Sequence, residues 1–283
     1  MVDTLYIHSG YKNYLKHSLE ITSKNNRIFF IGDDSNAFLR NKKNIEFINR
    51  KELLDSDIEK YKTHFINYST NDKYFEWSCF ERVFLMKNFL DKYNIQRIFY
   101  SDSDNIFLKN LNKLKLTKEI GYLIPLFQSE FEMYASIHSA LLNKEFCGKF
   151  IELYEDVYIN KSKFEIIAKK IEYHKKNNIR GGICDMTLYY FLNKLNIIDV
   201  QNFFEPIETI DGYDSIFIHD IKSSLGPSGK DTFKKNNKYI KIFNNNRVFD
   251  LIKKEYYELN NIHFQGISKK HLNFRTKYKL LFL

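Results

Sequence analysis

Residues 97–107 read RIFYSDSDNIF. A short apolar strand is predicted at 97–100, and two aspartates spaced two apart, Asp102 and Asp104, follow it almost at once. In an extended or turning backbone, such a pair can present both carboxylates to one ion at the carboxyl end of the strand. Aspartates are also common in turns, where they bond nearby backbone amides. Alone, the pair therefore indicates a divalent-metal site and a simple turn equally.

Upstream of this stretch, strand and helix patterns alternate. Strands are predicted at 4–7, 27–31 and 45–48, and apolar residues at helical spacing predict helices at 14–22 and 80–93. Alternating strands and helices favour a mainly parallel sheet, whose ligands bind beyond the carboxyl ends of the strands. The predicted fold class is therefore α/β, Rossmann-like, with a mainly parallel central sheet.

Downstream, the pattern is less regular. It predicts strands at 122–126, 215–219 and 239–243, helices at 146–158, 161–178, 186–195 and 247–259, and a Gly/Ser/Lys loop at 223–230. The expected organisation is one domain over 1–265, followed by a basic, aromatic tail over 266–283. No stretch approaches the ~20 apolar residues that span a bilayer.

Composition sets broad limits on the function. The 283 residues are 43% hydrophobic and 17% aromatic, which suffices for a large folded core, and the net charge of +9 suits any anionic partner. The three cysteines have no C-x-x-C spacing and are odd in number, which argues against a disulfide framework and a thiolate zinc site. A reducing cytoplasm is the expected location.

A second motif lies near the C-terminus, where His263, Gly266 and Lys269 form an H-x-x-G-x-x-K pattern. Imidazole is a ligand that manganese accepts beside carboxylates, glycine lets backbone approach an anion, and lysine supplies a positive charge for phosphate. A lone histidine in a polar loop is more often a residue with ordinary packing contacts. His219, followed by Asp220, is a second-choice ligand without the accompanying glycine and lysine.

Together the two motifs resemble a known family. Residues 97–107 resemble the strand, D-x-D and apolar signature of GT-A glycosyltransferases, and His263, Gly266 and Lys269 resemble the C-terminal motif of glycosyltransferase family 8. The opening of the chain is similar to that family as well, because a first strand runs into a polar loop and a helix. In that family this region carries a nucleotide-contacting tyrosine, for which Tyr11 is the candidate.

The resemblance implies a GT-A nucleotide-diphospho-sugar transferase. It implies Mn²⁺ or Mg²⁺ held by Asp102, Asp104 and His263 on the diphosphate of a UDP-linked hexose donor, with Gly266 and Lys269 at the same phosphates. The implied reaction is transfer with retention to a saccharide or lipid-linked acceptor in bacterial surface glycan synthesis, such as capsular polysaccharide or lipooligosaccharide. No nucleic-acid partner is expected.

Four further residues are candidates for the site. Asp185 occupies a place where similar enzymes carry an acidic residue near the transferred sugar or the acceptor hydroxyl, although an aspartate before an apolar helix is also a typical N-cap. His8 and Tyr11 follow the first strand, where an aromatic ring can stack on a base or simply pack in the core. Arg82, on the helix before the D-x-D strand, can reach a phosphate or face solvent.

The sequence departs from the family pattern at two points. Pro-Trp usually follows the motif lysine, whereas Lys270 and His271 follow it here, and Ser101 replaces a common leucine before the first aspartate. Residues 269–283 interleave Lys and Arg with Phe, Tyr and Leu, as interfacial segments do, so the tail is expected either to contact the inner face of the membrane or to fold over the site.

Two other classes of function stay open from the sequence. A haloacid dehalogenase-like phosphatase also places a D-x-D after a strand, but near its N-terminus and followed by threonine, whereas Asn105 and Ile106 follow here. A non-enzymatic nucleic-acid-binding protein would account for the charge, yet the basic residues are dispersed and no zinc, RRM or helix-turn-helix signature is present.

Overall fold

The computed structural model describes residues 2–126, 128–221, 235–236, 239–240, 242 and 246–273. Its strands are β1 (Thr4–Ile7), β2 (Ile28–Gly32), β3 (Ile45–Asn49), β4 (Arg97–Ser101), β5 (Asn105–Phe107), β6 (Gly121–Leu123), β7 (Ser136–Asn143), β8 (Gln201–Asn202), β9 (Ile207–Glu208), β10 (Asp214–Ile216), β11 (Lys235–Asn236), β12 (Tyr239–Ile240), β13 (Arg247–Asp250), β14 (Glu255–Leu259) and β15 (Asn261–His263). Its α-helices are α1 (Tyr14–Thr22), α2 (Ser56–His64), α3 (Lys73–Lys92), α4 (Lys144–Tyr154), α5 (Glu165–Lys176) and α6 (Asp185–Lys194).

A central sheet of seven strands organises the chain, in the order β3-β2-β1-β4-β7-β6-β8. All of its strands run parallel except β7, which is antiparallel to both neighbours. Smaller sheets join β13-β14-β10-β9, β11-β12 and β15-β5. The predicted α/β class with a mainly parallel central sheet is confirmed.

The sheet is apolar on both faces, as strands between two layers of packing must be. Successive residues point to opposite faces, so in β1 Leu5 joins the core beneath α3, α4 and α6, whereas Tyr6 joins the core shared with α1 and β14. In β4, Ile98 and Tyr100 pack on the α3 side, and Phe99 belongs to a third cluster, which is rich in phenylalanine.

Helix α3 is longer than predicted. It begins after Asp72, whose carboxylate accepts hydrogen bonds from the backbone N–H groups of Tyr74 and Phe75, as an N-cap does. Its buried positions include Phe80, Val83 and others at three- and four-residue steps. The helix runs beneath the sheet and carries Arg82 to the edge where the strands end.

The predicted helix at 247–259 is wrong, because residues 247–250 and 255–259 form the antiparallel hairpin of β13 and β14. The Asp250 carboxylate accepts hydrogen bonds from the N–H groups of Ile252 and Lys253 at 2.8 and 3.0 Å, and Lys254 has a φ of +61°. That turn interrupts any helix, and the apolar residues of the segment lie partly on the two paired strands and partly, as Leu251 and Ile252, in the exposed turn.

The other predicted elements agree with the observed ones to within a few residues, and the differences lie at their ends. The sequence analysis did not predict α2, β5, β7, β8, β9, β11 or β15. The helix predicted at 146–158 is α4 followed by a π-helical turn at Glu155–Ile159, and Cys184 rather than Asp185 is the N-cap of α6. The predicted loop at 223–230 and part of the strand predicted at 239–243 lie outside the described residues. Cys79, Cys147 and Cys184 are free thiols.

Gly266–Asn273 forms a 3₁₀ helix, and its buried Leu272 belongs to the same core cluster as Leu15 and Leu19 of α1. The remainder of the predicted tail, 274–283, lies outside the described residues, so the division at residue 266 stays a prediction. Among the described residues, no helix has the length and apolar character needed to cross a bilayer.

Candidate functional site

The carboxyl ends of the parallel strands β1, β2 and β4 meet at one edge of the sheet. His8 follows β1, Asp33 follows β2 and Asp102 follows β4, so the first turns after three strands share this edge. Open α/β sheets bind ligands in the crevice at such an edge. The candidate site lies here.

Three side chains form a candidate metal centre at this edge. One ligand atom each from Asp102, Asp104 and His263 lies within 4.8 Å of the other two. Atoms bound to one octahedral ion at about 2.1 Å lie about 3.0–4.2 Å apart. The cluster can therefore hold such an ion once its side chains close in around it, and two carboxylates with one imidazole suit Mn²⁺ or Mg²⁺.

His263 reaches the aspartates because β15 pairs with β5, which begins directly after Asp104. In this antiparallel ladder His263 lies opposite Asn105, and the backbone N–H of Phe264 donates to the Asp104 carbonyl at 3.0 Å. The Nε2 atom of His263 lies 3.3 Å from Asp104 Oδ1. The C-terminal motif is thus joined to the D-x-D motif by main-chain hydrogen bonds.

A buried pair of asparagines locks this ladder. The Asn261 amide donates to Asn105 Oδ1 at 2.8 Å and to Ser139 Oγ at 3.2 Å, and both asparagines are fully buried. The Asn105 amide in turn donates to Ser139 Oγ and to the His138 carbonyl, each at 2.8 Å. Because buried amides without partners are costly, this network specifies one register.

The contacts of His263 prepare it to bind a metal through Nε2. Its Nδ1 faces the backbone carbonyl of His219, which can only accept a hydrogen bond, so Nδ1 carries the proton in the neutral ring. Metal-binding histidines are commonly oriented in this way. Burial would lower the pKa of His263, but its hydrogen bond to the Asp104 carboxylate and the charges of Asp104 and Asp102 raise that pKa overall.

Lys269 completes the positive side of the cluster. Its Nζ lies 2.9 Å from Asp104 Oδ2 and 6.0 Å from the ring centre of Tyr14. Burial opposes ionisation of Asp104, but His263 and Lys269 hold the pKa of its carboxyl well below the usual value. Gly266 has a φ of +59°, a conformation that strains most other residues, and this turn directs the chain back toward Asp104.

Ser103, between the two aspartates, anchors the D-x-D turn to the residue after β1 and to α1. Its hydroxyl lies 2.9 Å from His8 Nδ1 and 3.2 Å from the Tyr14 hydroxyl, and its carbonyl accepts from Ser18 Oγ at 3.0 Å. Burial, followed by the charge of Lys269, lowers the pKa of His8. The contact between His8 and Ser103 places His8 beside the D-x-D motif.

Arg82 bridges the D-x-D motif and Asp185. Its guanidinium donates to Asp102 Oδ1 at 2.7 Å and pairs with the buried Asp185 carboxylate, which also accepts from the Tyr189 hydroxyl at 3.0 Å. The Tyr100 hydroxyl donates to Asp102 Oδ1 at 3.0 Å. Through Arg82, Asp102 is thus linked to a buried acidic group on α6, the Asp185 carboxylate.

Tyr11 lies apart from these contacts. Its side chain is 57% exposed, and its ring packs edge-on against Phe38 at 5.7 Å. Asp33 holds the adjoining loop, because Asp33 Oδ2 accepts from the backbone N–H of Gly10 at 2.6 Å. A role for Tyr11 in nucleotide binding stays a prediction.

His219, the second-choice ligand, is not a member of the cluster. Its ring centre lies 6.2 Å from that of His263, and its contribution is the backbone carbonyl that orients His263. Sequence reasoning missed Ser103, Tyr14, Asn105, Asn261 and Asp33. Two of them carry a sequence signal: Ser103 lies inside the D-x-D motif, and Asp33 directly follows a strand, as the first aspartate of that motif does.

Several solved structures resemble this chain at low identity. Mouse xyloside xylosyltransferase 1 in its apo form matches with a TM-score of 0.45 and 14% identity over 71% of this chain and 84% of that one. PaToxG glycosyltransferase gives a TM-score of 0.42 and 16% identity over 70% of each chain. A glycosyltransferase involved in glycosylation of the major capsid of PBCV-1 gives 0.41 and 9% over 96% of this chain and 100% of that one.

No protein-family model and no curated protein matches the sequence. The three structures are all described as glycosyltransferases. At these identities and TM-scores the likeness carries no activity over to this chain.

Proposed function

We propose that this protein is a metal-dependent glycosyltransferase of GT-A type that uses a nucleoside-diphosphate sugar. The donor is UDP-linked and the transferred group is a hexose, as the family 8 resemblance implies. The observation that carries the proposal is the convergence of Asp102, Asp104 and His263, with Lys269 beside them, at the carboxyl edge of a mainly parallel sheet.

The cluster is suited to a diphosphate. Asp102, Asp104 and His263 would hold Mn²⁺ or Mg²⁺ and leave positions on the ion for two phosphate oxygens. When bound, the ion supplies Lewis-acid stabilisation of the negative charge that develops on the departing nucleoside diphosphate. Lys269 adds a positive charge beside the Asp104 carboxylate, where it can contact the phosphates directly.

We assign the transferred sugar to the side of Asp102 on which Arg82 and Asp185 lie. Arg82 joins Asp102 to Asp185, so a sugar attached to the diphosphate would lie near both carboxylates. We assign Asp185 as the catalytic acidic residue that faces the transferred sugar in a retaining reaction. In the pair with Arg82 it is held as a charged, oriented group rather than a mobile one.

The nucleoside is assigned to the first turns after β1 and β2. His8 is anchored on Ser103, and the exposed ring of Tyr11 is available to stack on a base. The acceptor is a saccharide or a lipid-linked saccharide in surface glycan synthesis. We place the protein in the cytoplasm, with the basic tail contacting the inner face of the membrane.

Turnover of UDP-sugars tests this function. Purified protein is incubated with UDP-glucose, UDP-galactose, UDP-N-acetylglucosamine or UDP-xylose in Mn²⁺ or in EDTA, and released UDP is measured with and without saccharide acceptors. We expect UDP release from at least one donor in Mn²⁺ and none in EDTA. Failure with all donors in Mn²⁺, despite UDP binding, would contradict glycosyl transfer from UDP.

Asp185→Asn tests the catalytic assignment within the same assay. We expect turnover to fall at least a hundredfold while UDP affinity in Mn²⁺ stays within a few fold, because Asp185 is not a ligand of the ion. Asp199→Asn, a change of an exposed aspartate on the surface, is the matched control and should turn over normally. Equal turnover in both variants would remove Asp185 from the chemistry.

A further inference from the structure

We propose that His138 is a positioning residue of the metal centre, holding the imidazole of His263 in the plane that directs Nε2 at the ion. This inference rests on the proposed function, because it assigns a supporting residue to the same centre. His138 is the third residue of β7, is 1% exposed, and is not one of the clustered ligands.

The first observation is a stack between two rings. The ring centres of His138 and His263 are 4.1 Å apart and their planes differ by 18°. One face of the His263 ring is therefore covered, and the ring cannot tilt toward β7 without a clash. Because Nδ1 of His263 also donates to the His219 carbonyl, the ring is constrained both at its edge and on its face.

The second observation is that His138 is itself held at both ring nitrogens. Its Nδ1 lies 2.6 Å from Ser136 Oγ, and its Nε2 lies 3.3 Å from the Ile218 carbonyl. A phenyl ring would fill the same space but would have no hydrogen bonds to set its rotation. Imidazole at this position therefore fixes a plane as well as occupying a volume.

The third observation connects His138 to the aspartates. Its backbone carbonyl accepts from the backbone N–H of Asp102 at 3.3 Å and from the Asn105 amide at 2.8 Å. One residue of β7 thus supports both the D-x-D loop, through its main chain, and His263, through its side chain. Substitution of the side chain separates the second contact from the first.

The test is the affinity of the protein for Mn²⁺. It is measured in the presence of excess UDP, from the electron paramagnetic resonance signal of free Mn²⁺. Partners of metal ligands typically change affinity 10- to 100-fold when removed. We expect His138→Ala to raise the Kd for Mn²⁺ at least tenfold. His138→Phe retains the ring face and should recover part of that loss.

Two further readouts separate positioning from general destabilisation. Leu153→Ala, a change at an equally buried residue of α4, should lower the melting temperature and leave the Kd for Mn²⁺ within twofold. The visible absorption of bound Co²⁺ should change in His138→Ala and remain as in wild-type protein in Leu153→Ala, because it reports ligand geometry.

Each outcome bears on the proposal. A Kd for Mn²⁺ within twofold of wild type in folded His138→Ala, or an equal loss in Leu153→Ala, overturns it. If His138→Ala does not fold, His138→Phe decides, and a Kd and Co²⁺ spectrum both like wild type overturn it. Absence of Mn²⁺ binding by the wild-type protein with UDP would instead refute the proposed metal centre, and this inference with it.

Discussion

Charge balance around Asp104 is the feature on which the site depends most at the residue scale. Its two oxygens face His263 at 3.3 Å and Lys269 at 2.9 Å, and its side chain is almost fully buried. A buried carboxylate is stable only when partners of this kind compensate its lost hydration. In the proposed enzyme these two partners have further roles, because His263 is a ligand of the ion and Lys269 contacts the phosphates.

Lys269 should contribute to nucleotide binding through its charge. We expect Lys269→Met to weaken UDP binding in Mn²⁺ by about tenfold, the loss of one charged hydrogen bond of about 1.4 kcal/mol or more. Lys269→Arg keeps the charge and should weaken binding less. Calorimetric titration of UDP measures both, and equal affinity of Lys269→Met and wild type would argue against contact with phosphate.

Arg82 and Asp185 should be strongly coupled in stability. Removing one partner of a buried ion pair leaves an uncompensated charge, so we expect Arg82→Met to lower the free energy of unfolding by about 3–5 kcal/mol. The double variant Arg82→Met/Asp185→Asn should be less destabilised than the sum of the single changes. Urea unfolding of the three variants measures this coupling, and simple additivity would contradict a functioning pair.

Elements differ in how far the sequence predicts them. β1, α1 and β4 carry local apolar patterns, and the structure confirms them with the predicted bounds almost unchanged. The β13–β14 hairpin was predicted as a helix, because its register depends on a turn at Asp250 and on pairing that a short apolar pattern does not encode. Periodicity fails where partners distant in the sequence decide the structure.

The candidate site shows the same limit. Asp102, Asp104 and His263 could be predicted because each belongs to a motif with a chemical meaning. Asn105 and Asn261 could not, because each is an ordinary polar residue in a short strand and their hydrogen bond joins positions 156 residues apart. Supporting residues are recognised only when the fold brings them together.

The β5–β15 ladder should control both stability and metal affinity. We expect Asn261→Ala to lower the free energy of unfolding by about 1–3 kcal/mol, because Asn105 Oδ1 and Ser139 Oγ each lose a buried hydrogen-bond partner. The Kd for Mn²⁺ should rise in the same variant, since His263 lies two residues away. Asn177→Ala, at an exposed helix end, is the control, and equal effects in both would contradict the role of the ladder.

Across the whole molecule, buried neutral histidines make stability depend on pH. Burial lowers the pKa of His219 to about 3 and holds that of His138 well below its usual value. Between about pH 3 and 6.5 the unfolded chain therefore binds protons that the native protein does not, so stability rises with pH in this window. Glu76, whose pKa is raised by burial, opposes this trend above its unfolded pKa of 4.5.

The variant His219→Gln isolates one of these groups. We expect it to reduce the slope of unfolding free energy against pH by about 1.4 kcal/mol per pH unit between pH 4 and 6, the contribution of one proton. Urea unfolding of metal-free protein at several pH values gives the slope. A slope equal to that of wild type would mean that His219 is protonated in the native state.

Calorimetric titration of UDP tests the central claim most directly. Wild-type protein is titrated in Mn²⁺ and in EDTA, beside Asp102→Ala, Asp104→Ala and the surface control Asp91→Ala, whose carboxylate pairs with Lys87 and Lys144. We predict UDP binding in Mn²⁺ by wild type and Asp91→Ala, and its loss in EDTA and in both D-x-D variants. Binding that is unaffected by EDTA and by either substitution, or no UDP binding by the wild-type protein, would contradict a metal–nucleotide site at Asp102, Asp104 and His263.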